Sequence, residues 1–349
     1  MPSSLLDSLN AGDELSSIQV DELCRILLNE EEENHLKSSL LKALAAKGET
    51  VEEITAFASS VLKQAKKVNL TASLGDAPSI DICGTGGDRL NLFNVSTTAM
   101  FVIAAGGAKV IKHGNRGVTS LSGSSDVLSQ LGIPLHLPDS TLQSCLAEAN
   151  VCFLYAPAYH PAFKAVATVR QTLAKEGVHT IFNLIGPLLN PAQPTYQMVG
   201  VAHPQRTKDF ATILHNLGRK QAYAVTGFTA DHAPVDECST MGSTSLYSMN
   251  QEHSEAVFQR IESSDLGIPQ ASLPELQGGS PKENAQTLHD ILAGTITGAK
   301  RDIVILNAAA GLTCCQITST LTDGVSLAKE LIDSGKALQK LHALQRIFS

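Results

Sequence analysis

Five short apolar runs, each separated from the next by a longer stretch, limit what this chain can fold into. They are SIDIC (79–83), AKVIKH (108–113), VCFLYA (151–156), YQMVGV (196–201) and QAYAVTG (221–227). The stretches between them include STTAMFVIAAGG, SSDVLSQLG and RTKDFATILHNLG, which carry helical patterns. Strands that alternate with helices predict crossover connections, and crossovers place successive strands parallel. The expected class is therefore α/β, with a central, mostly parallel sheet flanked by helices. Residues 251–290 are polar and are expected to be irregular.

The first 70 residues read differently. Val20, Leu23, Cys24 and Leu27 fall at helical spacing, as do Leu36, Leu40, Ala43 and Leu44 before a stop at Gly48. TVEE (50–53) forms a capping box, with Thr50 as N-cap and Glu53 three residues on, and opens a helix whose apolar face is Ile54, Phe57, Ala58 and Val61. These patterns predict a small helical domain over 1–70, a polar linker with Gly and Pro over 71–79, and an α/β domain over 80–349.

Whole-chain properties exclude several classes. A hydrophobic content of 43% with 17% charged residues is that of an ordinary globular protein. No stretch approaches the roughly 20 apolar residues of a membrane span, and the N-terminus lacks the pattern of a signal peptide, so a cytoplasmic protein with no membrane partner is expected. The seven cysteines include no CxxC pair, which suggests neither a zinc site nor a disulfide framework. The net charge of −8 argues against a nucleic-acid partner, since phosphate backbones are met by clustered Lys and Arg. An anionic ligand must be met by a local site.

Two stretches are built for that. SIDIC runs directly into GTGGD (84–88), and about ten residues on Ser96 starts an apolar helix, so the loop lies at the carboxyl end of a strand and before a helix N-terminus. Ligands of α/β sheets bind at such ends, where glycines let backbone N–H groups approach an anion. GTGGDR matches neither GxGxxG nor GxxxxGK[ST], which points away from dinucleotides and P-loop nucleotides. The second run, AKVIKH, leads into KHGNRGVTSLSGSSD (112–126), with two cations, five hydroxyl residues and three glycines. A Gly-rich turn alone is often only a turn, but two of them after neighbouring strands suggest a ligand with phosphates at both ends. The adjacent Asp236 and Glu237 in APVDECS would read as a solvated pair without those loops.

GTGGD, FNVST, KHGNR, GSSDVLSQLG, TIFNLIGPLLNPA and VDE occur here in the order and spacing found in anthranilate phosphoribosyltransferases, which this chain resembles over essentially its whole length. The resemblance implies transfer of phosphoribose from 5-phosphoribosyl 1-diphosphate (PRPP) to the amino group of anthranilate in tryptophan biosynthesis, with release of pyrophosphate. It implies PRPP contacts at Gly84, Gly87, Asp88, Leu92, Asn94, Val95, Ser96 and Thr97 in the first loop. In the second it implies them at Lys112, His113, Gly114, Asn115, Arg116, Gly117, Val118, Thr119, Ser120 and Ser124. Anthranilate contacts are implied at Gly84, Asn115 and Arg170, and two Mg²⁺ ions per monomer at Ser96, Asp236 and Glu237. Lys112, Asp236 and Glu237 carry the catalytic expectation, and a homodimer built by the helical domain is expected as in the family.

These residue types suit that chemistry. Loss of pyrophosphate from an anomeric carbon builds negative charge on the leaving group, which hard cations, carboxylates and a fixed lysine can balance. An aromatic amine is already a neutral nucleophile, so positioning matters more than proton removal. His113 and His160 are left out of the catalytic set, a structural role being at least as much expected for each as a catalytic one. The sequence departs from the family pattern at Arg89, usually Gly, and at Leu92, usually Thr; it also departs at VRQTLAKEGVHT, two residues longer, with His179 at a common Arg position. FNLIGPLLNPA (182–192) is expected to be a packed wall. Two rival readings are a pyrimidine nucleoside phosphorylase, which would not need paired carboxylates, and a non-enzymatic nucleic-acid-binding relative, which would need a basic surface.

Overall fold

In this computed structural model, residues 2–117, 121–252 and 255–349 are described. They form two compact units: Met1–Lys67 with Pro157–Pro191, and Val68–Ala156 with Ala192–Ser349.

The first unit is helical, with helices Pro2–Ala11, Ser17–Leu27, Asn34–Lys47, Val51–Gln64 and Lys164–Lys175. The expected capping box forms: Glu53 accepts from the Thr50 N–H at 2.9 Å, and Thr50 Oγ1 accepts from the Glu53 N–H at 3.2 Å. Buried Glu53 is also paired with Lys47 at 2.7 Å and accepts from the Leu15 N–H at 2.9 Å, so its charge is compensated on every side. The unit corrects the expected boundaries, because 157–191 belongs here and not to one continuous α/β domain. The reason is packing. Phe182 meets the Phe57 and Phe163 rings edge to face at 5.6 and 5.4 Å, and the buried Lys37 ammonium donates to the Ala165 carbonyl at 2.8 Å. Ile181, Phe182, Ile185, Leu188 and Leu189 are buried in and beside short 3₁₀ turns, which makes 182–192 the wall its composition suggested.

The second unit is built on one sheet. Its strands are β1 (Ser79–Gly84), β2 (Lys109–Gly114), β3 (Val151–Tyr155), β4 (Tyr196–Gly200), β5 (Gln221–Phe228), β6 (Pro234–Val235), β7 (Thr244–Asn250) and β8 (Val257–Ile261). The order is β3-β2-β1-β4-β5-β7-β8, with β6 on β5; the first five run parallel and the additions antiparallel. All five apolar runs are strands, within about one residue of their sequence bounds. The core is the pair of helices Val95–Ala105 and Ala299–Cys314, both buried along most of their lengths.

Two expectations fail here. The proposed linker 71–79 contains the short helix Thr71–Leu74 and the first residue of β1. Residues 251–290 are not irregular: they supply β8, the turn Ser263–Leu266 and helices Leu273–Leu276 and Pro281–Leu292. β8, VFQRI, carries no alternating apolar pattern because it is an edge strand with four exposed residues, Val257 and Phe258 among them, and an edge needs no alternating apolar face. The Pro281–Leu292 helix did carry a signal, the SPKE capping box at 280–283 followed by Ala285, Leu288, Ile291 and Leu292.

Candidate active site

In the order 3-2-1-4-5 the strand sequence reverses between β1 and β4, and the crevice at the carboxyl ends of such strands is where open α/β sheets take ligands. Gly84 and Gly200 lie side by side at those ends. A Cβ at Gly84 would strike the Asp236 carboxylate, one at Gly200 the Asp236 main chain, and one at Gly227 the Glu237 carbonyl. Three glycines on three neighbouring strands thus leave room for the turn that follows β6 to fold Asp236 and Glu237 back over the sheet. Only the first of the three belongs to a motif legible in the sequence. The turn is clamped from below by buried Asn307, which accepts from the Cys238 N–H at 2.9 Å and donates to the Cys238 carbonyl at 2.9 Å.

The first loop is gathered by this turn. Asp236 Oδ2 accepts from the Gly86 N–H at 2.6 Å, and Glu237 Oε1 from the Ser96 N–H at 3.1 Å, at the start of helix Val95–Ala105. Gly86 and Gly87 take the left-handed region at φ +72° and +93°, as do Arg89 at +59° and Asn91 at +52°. Asp88 Oδ1 accepts from the Leu90 N–H at 3.2 Å. Lys112, buried on β2, donates to the Ile82 carbonyl and to Ser96 Oγ at 3.2 Å, so its charge stands at the base of the loop. Val95 and Thr97 turn their side chains into the core, and half-buried Leu92 meets Gln277 in a backbone bridge.

The second loop follows Gly114, where a Cβ would collide with Ser124 Oγ. Asn115, Arg116 and Gly117 are exposed, while Val118, Thr119 and Ser120 lie outside the described residues. One acceptor organises the turn: Asp126 Oδ2 takes the N–H of Gly117 and that of Gly123, each at 3.0 Å. The His113 imidazole points away from this loop's tip, bonding Asp81 at 2.6 Å within a buried group that includes Cys83, Gln197 and Arg219. Asp81, Cys83 and His113 hold ligand-type atoms within 4.8 Å of one another, but the Asp81–His113 bond already occupies two of them.

Electrostatics single out the acidic turn. Burial, then the neighbouring Asp88 and Glu237, push the Asp236 carboxyl well above the usual carboxylate range. Burial pushes Glu237 up to about 7, with Lys112 and the Ser96 N–H pulling the other way. Both residues keep some exposed surface, yet their carboxyl ends are enclosed by protein. Three carboxyl groups so placed repel one another unless protons or a cation intervene. Their oxygens, with the Ser96 hydroxyl, are a hard donor set of the kind Mg²⁺ prefers. The residues present fit such an ion.

In the helical unit, Arg170 lies on helix Lys164–Lys175 with its guanidinium 5.2 Å from the Phe182 ring centroid. Among the described residues no carboxylate pairs with it, and burial lowers its pKa. A half-buried guanidinium backed by an aromatic ring is prepared for an anionic partner. His160 donates from Nε2 to the Leu189 carbonyl at 2.8 Å and stacks on Phe163, a structural placement. His179 lies in the exposed connection after that helix.

Comparison with known proteins agrees with this geometry. Residues 76–338 match the glycosyl transferase family, a/b domain. The chain is 40% identical to the anthranilate phosphoribosyltransferase of Petrotoga mobilis, over 97% of its own length and 94% of that protein's. Its fold matches the anthranilate phosphoribosyltransferase of Thermus thermophilus with a TM-score of 0.88 and 34% identity, covering 99% of each chain. It also matches the Saccharomyces cerevisiae enzyme solved in complex with PRPP and Mg, with a TM-score of 0.86 and 28% identity, over 99% and 97% of the two chains. With two phosphate-shaped loops and an acidic turn at the switch point of its sheet, the chain belongs to the anthranilate phosphoribosyltransferase family.

Proposed function

We propose that this protein transfers phosphoribose from PRPP to anthranilate, giving N-(5-phosphoribosyl)anthranilate and pyrophosphate. The observation that carries this reading is the convergence of Asp236, Glu237, Ser96 and Lys112 on the first glycine loop at the β1/β4 switch point. The amine nitrogen forms a bond to C1 of the ribose, the bond from C1 to the diphosphate oxygen breaks, and the amine gives up a proton. Loop amides around Gly84–Asp88 and the second loop hold the phosphates, and the helix N-terminus at Ser96 adds partial positive charge. Lys112 places a fixed cation where the leaving group's charge grows. Two Mg²⁺ ions, held by Asp236, Glu237 and Ser96, would supply neutralisation of the diphosphate. The yeast relative's complex with PRPP and Mg supports that pairing of ligand and ion.

For the acceptor, we propose that Arg170 takes the anthranilate carboxylate, because its guanidinium has no carboxylate partner among the described residues. Incubation with PRPP, Mg²⁺ and anthranilate should consume anthranilate fluorescence, and EDTA should stop it. Absence of turnover with PRPP still binding would reassign the acceptor. Arg170→Ala should raise the KM for anthranilate about tenfold or more while leaving that for PRPP near its starting value; equal effects on both would remove Arg170 from the acceptor site. We further propose a homodimer through the helical unit, where Ile18 is 80% exposed. Sedimentation as a monomer would overturn it.

A further inference from the structure

The segment Leu276–Asn284, within the polar stretch 251–290, lies along the first glycine loop. The Phe93 N–H donates to the Leu276 carbonyl at 3.2 Å, the Gly278 N–H donates to the Asn91 carbonyl at 2.8 Å, and Leu92 bridges Gln277 antiparallel. The approach is close enough that a Cβ at Gly278 would sit 2.8 Å from Phe93 Cα. Leu92, where the family usually has a threonine, is thus held by main-chain pairing to this segment.

Asn284, 3% exposed, is the link that reaches furthest. Its Oδ1 accepts from the Gly279 N–H at 2.8 Å, and a backbone N–H can only donate, so the amide orientation is set. Its Nδ2 then donates to Asn94 Oδ1 at 3.0 Å, which leaves Asn94 Nδ2 to donate to the Ser122 carbonyl at 3.2 Å. Three bonds with one sense of donation run from the Leu276–Asn284 segment, through the residue that opens helix Val95–Ala105, to the end of the second glycine loop. Asn94 makes no capping bond to its own helix, because its side chain is committed to this relay.

We propose that Asn284 is a positioning residue of the donor site, fixing Asn94 and thereby the spacing of the two phosphate loops before substrate arrives. The proposal rests on the reading of those loops as the PRPP site. Asn284 touches no reacting atom in this scheme.

Asn284→Asp separates the relay from simple structural support. It keeps the acceptor for Gly279 but faces Asn94 with a carboxylate, so one bond of the relay is lost whichever way Asn94 turns. The KM for PRPP should rise about threefold to tenfold, the effect of one buried hydrogen bond, while the KM for anthranilate stays close to wild type; the melting temperature should fall, because the variant buries a carboxylate facing Asn94. Asn94→Ala with Asn284→Ala should be no worse for PRPP than Asn94→Ala alone, since the two act as one unit. Amide exchange in ligand-free protein should accelerate over residues 86–94 in Asn284→Asp and in Asn284→Ala. Unchanged exchange there, equal rises in both KM values, or additive losses in the double variant would each overturn the proposal. Wild-type protein that binds no PRPP with Mg²⁺ in a calorimeter would instead overturn the donor-site reading, and the exchange measurement would still decide whether Asn284 holds the loop.

Discussion

The two glycine-rich loops solve one problem by different means. The loop after β2 is organised mainly from within its own stretch: Asp126, nine residues from Gly117, collects two backbone N–H groups of the turn, and Asn94 reaches only the Ser122 carbonyl at its end. The loop after β1 is organised from far away, by Asp236 150 residues from Gly86 and by Asn284 190 residues from Asn94. The first kind of loop can be shaped by its local chain, whereas the second exists only once the sheet is complete. The remotely held loop is also the one that receives the acidic turn. Assembly of the proposed metal ligands and shaping of the first glycine loop are therefore a single event in this fold.

The largest effect is expected at the acidic turn. Asp236→Asn with Glu237→Gln should lower kcat by about a thousandfold or more, the scale expected when charge stabilisation of a leaving group is removed, with native circular dichroism. Substantial turnover in that variant would mean the long-range contacts shape the loop without serving chemistry. Next in size is the link between protons and cation. Burial raises Glu237 from its ordinary 4.5 to about 7, so over that window the folded protein holds a proton that the unfolded chain has released. Stability of the metal-free protein should fall as pH rises from about 4.5 to about 7 for this reason. A cation replaces that proton, so the rise in melting temperature on adding Mg²⁺ should grow across the same window. A Mg²⁺ effect independent of pH would separate the metal from Glu237.

Smaller effects test the self-contained loop. Asp126→Ala removes the acceptor of two N–H groups and should raise the KM for PRPP by about threefold to tenfold, with metal dependence unchanged. A loss of Mg²⁺ affinity in this variant would show that the loops are not built separately. Arg89→Gly should do least. Arg89 sits at φ +59° and is exposed, and a non-glycine residue there costs about 1 kcal/mol, partly offset by the greater freedom glycine has when unfolded. A slight change in melting temperature with unchanged kinetic constants is the expected readout; a large change in KM for PRPP would give the Arg89 side chain a role in the loop.

Much of this molecule is legible without coordinates. The five parallel strands, the Thr50 capping box and the position of both loops follow from hydrophobic period and turn chemistry, which act over a few residues. Gly84, Lys112, Ser96 and the Asp236–Glu237 pair are legible as residue types at strand ends, although only a resemblance to a family assembles them into one site. Other features leave no comparable trace. Gly200 and Gly227 look like any strand-end glycines until the Asp236–Glu237 turn is laid across them. The fragment 157–191 reads as more of the α/β domain until Phe182 is seen against Phe57. Asn284 in a polar stretch has no signature of its own.

Local sequence settles which segments become strands and helices and where loops suited to phosphate occur, because those depend on side-chain period, caps and backbone freedom within a few residues. Tertiary structure alone decided which carboxylates reach which loop, which amide locks it, and which unit 157–191 joins. Those are choices among partners 100 residues or more apart, made by shape, close approach and the need to satisfy every buried donor and acceptor.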